Sequence, residues 1–94
     1  MPVVKLFANL RKLAGTKELS VAGSTVRAMV NEIVKQNPAL DAALLQGEEL
    51  RPHIVITLNG HNVTDLNVNV NEQDVIAIFP PIAGGQGENN GWLV

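Results

Sequence analysis

The spacing of hydrophobic positions changes several times along the chain, and each change predicts a new element. Side chains alternate between two sides over residues 3–8, which predicts a strand. One helical turn follows and ends at Gly15, and alternation resumes over residues 17–21 with Leu19 and Val21 inward. The chain is therefore expected to begin with two strands joined by a short connection.

The clearest helical pattern follows residues 23–25, which offer a hydroxyl side chain as an N-cap. Its apolar positions repeat at the spacing of one helix face, and polar side chains occupy the opposite face. The predicted buried stripe consists of Val26, Met29, Val30, Ile33 and Val34. Pro38 is expected to end this helix, and a second, shorter helix is predicted over residues 39–45.

Strand patterns return in the second half of the chain. Residues 53–58 are rich in β-branched side chains, and Asn59-Gly60 is the strongest signal for a hairpin turn. Residues 75–79 are apolar on both faces, which predicts a central strand. This order of elements predicts an α+β protein of the β-grasp (ubiquitin-like) type, with a mixed sheet packed against one main helix.

Composition narrows the possible functions. The 94 residues suffice for one small domain, and 46% apolar with 17% charged residues predicts a folded chain. The net charge is −2 and only three residues are aromatic, which argues against a nucleic-acid surface. No signal peptide or membrane span is apparent, so we expect a cytoplasmic location.

Residue types that carry catalysis or bind metals are scarce. The sequence contains no cysteine, which excludes thiol catalysis, disulfides and thiolate metal sites. His53 and His61 have no acidic companions at ligand spacing, so we expect no metal site. Any reactive group of this chain is therefore expected among other residue types.

The end of the last predicted strand carries the most informative motif. Phe79 is followed by Pro80 and Pro81, and the pair Gly84-Gly85 comes shortly after. Prolines lack a backbone donor and favour an extended path, so they end a sheet and direct the chain outward. Glycines have no side chain to obstruct a narrow channel. An ordinary flexible terminus has a similar composition. The motif therefore indicates a function only because a predicted β-grasp fold precedes it.

In that context, the run from Phe79 to Gly85 resembles the end of the ubiquitin-like sulfur carriers, which include the small subunit of molybdopterin synthase. The resemblance extends from about Val3 to Gly85 and includes the opening Leu6-Phe7-Ala8 and the Leu58-Asn59-Gly60 turn. It implies a β-grasp domain over residues 1–83 and a flexible tail over residues 84–94.

The resemblance also implies a role for each residue of the motif. The carboxylate of Gly85 would be adenylated by a ubiquitin-activating-type enzyme, converted to a thiocarboxylate, and used to donate sulfur in molybdopterin biosynthesis. Gly84, Pro80 and Pro81 would occupy the channel of the partner. Phe79 would contact that enzyme or the large synthase subunit, although a place in the core is an equally good interpretation.

These implications describe a co-substrate rather than an enzyme. The chain itself would bind no cofactor, and ATP would be used by the activating partner. A large synthase subunit or another sulfur acceptor would complete the set of partners, and no nucleic acid or membrane is expected.

The sequence departs from the family pattern because nine residues, 86–94, follow Gly85. While they remain attached, Gly85 has no free carboxylate. A peptidase removes this extension, or the extension is retained on a non-covalent interaction module, or it is foreign to the natural protein. A further alternative is a protein modifier that becomes joined through Gly85 to lysines of target proteins.

Overall fold

The computed structural model describes residues 1–80, which form a mixed sheet with helices on one side. The strands are β1 (Val3–Leu6), β2 (Glu18–Ser20), β3 (Leu45–Gln46), β4 (Glu49–Leu50), β5 (Val55–Leu58), β6 (His61–Val63) and β7 (Val75–Phe79). The α-helices are α1 (Asn9–Ala14), α2 (Val26–Gln36) and α3 (Asp41–Leu44), and a 3-10 turn spans Pro38–Leu40. No helix in this part of the chain is long and apolar enough to cross a membrane.

The main sheet has five strands in the order β2-β1-β7-β5-β6. β1 and β7 are parallel, with Leu6 opposite Ile78, and the other neighbours are antiparallel. The central position predicted for residues 75–79 is confirmed, because β7 lies between β1 and β5. The arrangement is the β-grasp fold expected from the order of elements.

Helix α2 supplies the largest part of the core opposite the sheet. The Thr25 hydroxyl accepts a hydrogen bond from the Ala28 N–H at 3.1 Å and caps the first turn, as predicted. The buried side chains of this helix are Val26, Met29, Val30 and Ile33, whereas Val34 is half-buried at the border of the stripe. They share one core with the inward side chains of the sheet, which include Val4, Leu6, Ile56, Ile76 and Ile78.

Two local predictions differ from the structure, and one small sheet was not predicted. The first strand ends at Leu6 because Ala8 adopts a positive φ of 55°, which turns the chain out of the sheet. The strand expected from residue 53 begins at Val55, since His53 has a φ of 69°. The small β3–β4 sheet was not predicted, because strands of two residues are too short to show a period.

A hydrogen-bonded clasp joins the β5–β6 turn to the start of β7. Asn59 and Gly60 both have positive φ, 52° and 89°, as a two-residue type I′ hairpin requires. The Asn59 amide donates to Asp74 Oδ1 at 3.0 Å, and Asn59 Oδ1 accepts from the Val75 N–H at 2.9 Å. Asp74 Oδ2 accepts from the Asn71 N–H at 2.8 Å. These bonds fix the place where the chain enters the central strand.

We predict that the buried stripe of α2 dominates stability. Met29→Ala and Ile33→Ala should each lower the free energy of unfolding by about 2–5 kcal/mol, because both side chains are enclosed in the core. The exposed Lys35→Ala is the control on the same helix and should change it by less than about 0.5 kcal/mol. Urea unfolding measures all three.

Thermal unfolding tests the contribution of the extension to stability. Removing residues 86–94 should leave the melting temperature nearly unchanged, because the buried core found in residues 1–80 runs from Val4 to Ile78. A loss of stability comparable to that of Met29→Ala would contradict this prediction.

A further prediction concerns the pH dependence of stability. The Asn71 N–H and the Asn59 amide stabilise the carboxylate and lower the pKa of Asp74. A lowered pKa in the folded state contributes stability that is present above the unfolded pKa and is lost as the pH falls through the folded pKa. The stability difference between wild type and Asp74→Asn should therefore be largest near neutral pH.

Unfolding series from about pH 7 down to about pH 2 measure this difference, which should disappear at the acid end. Glu72→Gln, an exposed carboxylate two residues away, controls for the loss of one negative charge. A difference between wild type and Asp74→Asn that is constant over the whole series would contradict the prediction.

Candidate functional site

Phe79 is the last residue of β7 and lies on the sheet face that the helices leave open. It pairs with Val55, whereas the preceding pair, Ile56 and Ile78, is buried in the core. Successive side chains of a strand point to opposite faces, so Phe79 and Val55 face away from the helices. Phe79 is half-buried, and it is therefore neither a core residue nor fully exposed.

A layered contact holds the Phe79 ring in place. Its ring stacks on Phe7 with a centroid distance of 4.5 Å and an interplanar angle of 13°. The Arg11 guanidinium carbon lies 5.0 Å from the centroid of Phe7, and Arg11 Nε donates to the Leu6 carbonyl at 2.8 Å. Contacts of these two kinds each contribute about 0.5–1.5 kcal/mol. Together they fix the side chain of the last residue of β7.

The turn after β1 makes this layering possible. Ala8 has φ 55° and ψ −133°, and its carbonyl accepts from the Arg11 N–H at 3.1 Å. A non-glycine residue in such a conformation costs on the order of 1–3 kcal/mol. The reversal begins α1 immediately after the strand, and α1 returns Arg11 to the Phe7 ring.

The open face of the sheet is largely apolar. We call it the outer face and define it by Lys5, Phe7, Val55, Thr57, Ala77 and Phe79. None of these residues is buried by residues 1–80, and Val55 is 41% exposed. An open apolar surface of this kind is typical of a contact site for another macromolecule.

The structure locates only part of the predicted site. Phe79 ends β7, and the half-buried Pro80 follows it directly as the last described residue. Pro81, Gly84 and Gly85 lie outside the described residues, as does the whole tail predicted over residues 84–94. The roles assigned to all five motif residues therefore remain predictions.

Sequence reasoning missed Phe7 and Arg11. A signal was available, because Phe7 and Phe79 are the only two phenylalanines in the chain and both follow or end strands. Their contact depends on the parallel pairing of β1 with β7, which no local pattern reveals. Within residues 1–80, no group of three His, Cys, Asp or Glu side chains is placed to hold a metal ion.

Comparison with known proteins agrees with the geometry. The model of the ThiS family matches residues 4–85 of this chain. The molybdopterin synthase sulfur carrier subunit of Arabidopsis thaliana is 38% identical over 85 residues, which cover 87% of this chain and 80% of the relative.

Solved structures give the same fold. Small archaeal modifier protein 1 from Methanosarcina acetivorans is 36% identical, covers 89% of this chain and 95% of its own, and superposes with a TM-score of 0.79. The BexX/CysO complex of Amycolatopsis orientalis contains a chain that is 26% identical, with coverage of 90% and 100% and a TM-score of 0.80.

The family match extends over most of the sequence, from the second residue of β1 through the glycine pair, and the structure superposes closely on the solved relatives. The chain therefore belongs to the ThiS family of ubiquitin-like sulfur carriers.

Proposed function

We propose that this protein is a sulfur carrier whose reactive group is the carboxylate of Gly85, exposed when residues 86–94 are removed. The observation that carries the proposal is the end of the family match at Gly85, nine residues before the end of the chain. Residues 86–94 thus follow directly after the region that this chain shares with the family. Its removal by a peptidase would generate the carboxylate that the chemistry requires.

The proposed reaction has two steps. The Gly85 carboxylate attacks the α-phosphate of ATP in the activating enzyme, which forms an acyl-adenylate and releases pyrophosphate. A sulfur donor, either sulfide or a persulfide of the partner, then attacks the acyl carbon and displaces AMP. With a persulfide donor, a thiol must also cleave the remaining S–S bond. The product is a thiocarboxylate on Gly85.

The described residues support this role by positioning the tail. Phe79 is held by Phe7 and Arg11, and Pro80 leaves the sheet beside them. The chain therefore starts toward the partner from a fixed point. In the proposal, Pro80, Pro81 and Gly84 pass through the channel of the activating enzyme, and Phe79 contributes to docking with that enzyme or with a large synthase subunit. Catalysis belongs to these partners.

We propose molybdopterin synthesis as the destination of the sulfur. Support comes from the Arabidopsis thaliana relative, whose name assigns it to molybdopterin synthase and which shares 38% of its residues with this chain over the matched region. The carrier's outer face and glycine pair would serve a related cofactor pathway equally well, so the acceptor must be identified by experiment.

Conjugation to protein lysines is the second candidate function. It is supported by the similarity to small archaeal modifier protein 1, which is 36% identical and has the same fold. Both functions begin with the same adenylate, and they differ in the nucleophile that takes the acyl group. A thiocarboxylate increases the mass of residues 1–85 by about 16 Da, whereas conjugation joins Gly85 to a lysine side chain.

We predict that only the trimmed protein is activated. Residues 1–85 should support ATP–pyrophosphate exchange with the adenylating enzyme from the same genome, whereas the 94-residue chain should not, because Gly85 is then in an internal peptide bond. Gly85→Ala in the trimmed protein should lower the rate on the order of a hundredfold, because a Cβ displaces the carboxylate in the channel.

All three proteins should have the same circular dichroism spectrum, since the described fold ends before Gly85. Equal exchange by the 94-residue and trimmed proteins, with no trimming detected by mass spectrometry during the assay, would exclude Gly85 as the activated residue.

We also predict that the extension is absent from the mature protein. Intact mass spectrometry of the protein purified from its native cell should show a species that ends at Gly85. Detection of the full 94 residues alone would contradict the carrier function in this form.

A further inference from the structure

The connection between β1 and β2 carries a concentration of positive charge. Residues 7–17 contain Arg11, Lys12 and Lys17 and no acidic residue, although the whole chain has a net charge of −2. All three side chains are exposed. We call these three residues the basic flank.

The fold places the basic flank at the end of the sheet from which the tail leaves. β1 and β7 are parallel and in register from Val3 with Val75 to Leu6 with Ile78, so the connection after β1 lies beside the end of β7. The Leu6 N–H donates to the Lys17 carbonyl at 2.9 Å, and Arg11 lies over Phe7. The segment that carries the basic flank therefore lies at the same end of the sheet as Phe79, and Arg11 adjoins the outer face at Phe7.

Two acidic positions near these strands can be placed by the sheet register. Glu18 directly follows Lys17 and lies opposite Lys5 in the β1–β2 ladder, so one acidic residue adjoins the basic flank. Glu72 and Asp74 precede β7 and therefore lie at the other end of the sheet. The uninterrupted positive segment, residues 7–17, therefore follows β1 beside the end of β7, whereas the two carboxylates before β7 lie at the opposite end of that strand.

We propose that the basic flank docks against an acidic patch beside the tail channel of the adenylating enzyme, while the outer face makes the adjoining apolar contact. This inference rests on the proposed function and names the chemistry of the partner surface. Charges at the rim of an interface mainly raise the rate of association and set its salt dependence. The basic flank would orient the carrier so that the tail meets the channel.

The surroundings favour a protein over a nucleic acid or an anionic membrane. The basic flank consists of three charges next to an apolar face, whereas a protein that binds a phosphate backbone typically makes about 6–10 phosphate contacts. An interface with an apolar centre and a charged rim is the usual arrangement between proteins.

The test compares two charge reversals in the protein that ends at Gly85. The first variant is Lys12→Glu with Lys17→Glu, which spares Arg11 and thereby the Phe7–Phe79 stack. The matched control is Arg27→Glu with Lys35→Glu, which makes the same change in net charge on α2, against the opposite face of the sheet. Circular dichroism and thermal unfolding establish that both variants are folded.

Association with the adenylating enzyme from the same genome is measured by biolayer interferometry with MgATP, from about 50 mM to about 500 mM salt. The flank reversal should slow association about tenfold at low salt, with little change in dissociation, and the difference should shrink at high salt. The control should remain within about twofold of wild type. Equal effects of the two reversals would overturn the proposal.

Parallel measurement of ATP–pyrophosphate exchange separates this proposal from the proposed function. If wild type binds in a salt-sensitive way, the flank reversal weakens this binding, and wild type shows no exchange, the docking surface is retained and the carrier function is overturned. If wild type supports exchange but neither reversal changes the rate of association, the carrier function is retained and the docking surface is overturned. Failure of wild type to bind the enzyme would overturn both. Binding of wild type to heparin at about 150 mM salt, abolished by the flank reversal, would assign the flank to a polyanion instead.

Discussion

The parallel pairing of β1 with β7 is the constraint on which the rest of the structure depends. Parallel neighbours require a long crossover, and here residues 7–74 lie between the two strands. Their pairing places β7 at the centre of the sheet and brings the end of the first strand next to the end of the last. The stacking of Phe7 on Phe79 and the position of the basic flank at this end of the sheet both follow from it.

The elements that were predicted correctly are those that neighbouring residues in the sequence determine. The stripe from Val26 to Ile33 has the period of a helix, and Asn59-Gly60 satisfies the positive φ of both central residues of its turn. The apolar run over residues 75–79 indicated a central strand, and β7 does lie between β1 and β5, although its outer side chains are only half-buried. These signals were enough to predict the β-grasp fold.

The features that were missed depend on contacts between distant residues or on unusual backbone geometry. The positive φ of Ala8 leaves no mark in the composition of the turn, since alanine gives no reason to expect it. The contact of Arg11 with Phe7 requires that turn, and the contact of Phe7 with Phe79 requires a pairing across some seventy residues of chain. The motif after Phe79 could be recognised from the sequence because its recognition depends on residue types and not on packing contacts.

Stability and function are assigned to different parts of this molecule. Every buried apolar side chain identified in residues 1–80 lies between Val4 and Ile78, whereas the family's glycine pair comes after the last strand. Phe79 lies between these two regions in the sequence, and its half-buried ring stacks on Phe7. In the proposed function the end of the chain enters another protein, and such a segment cannot also be packed in its own core. The strain at Ala8 is therefore best understood as the energetic cost of holding Phe79 at this junction, because the same turn that strains the backbone brings Arg11 to the aromatic pair.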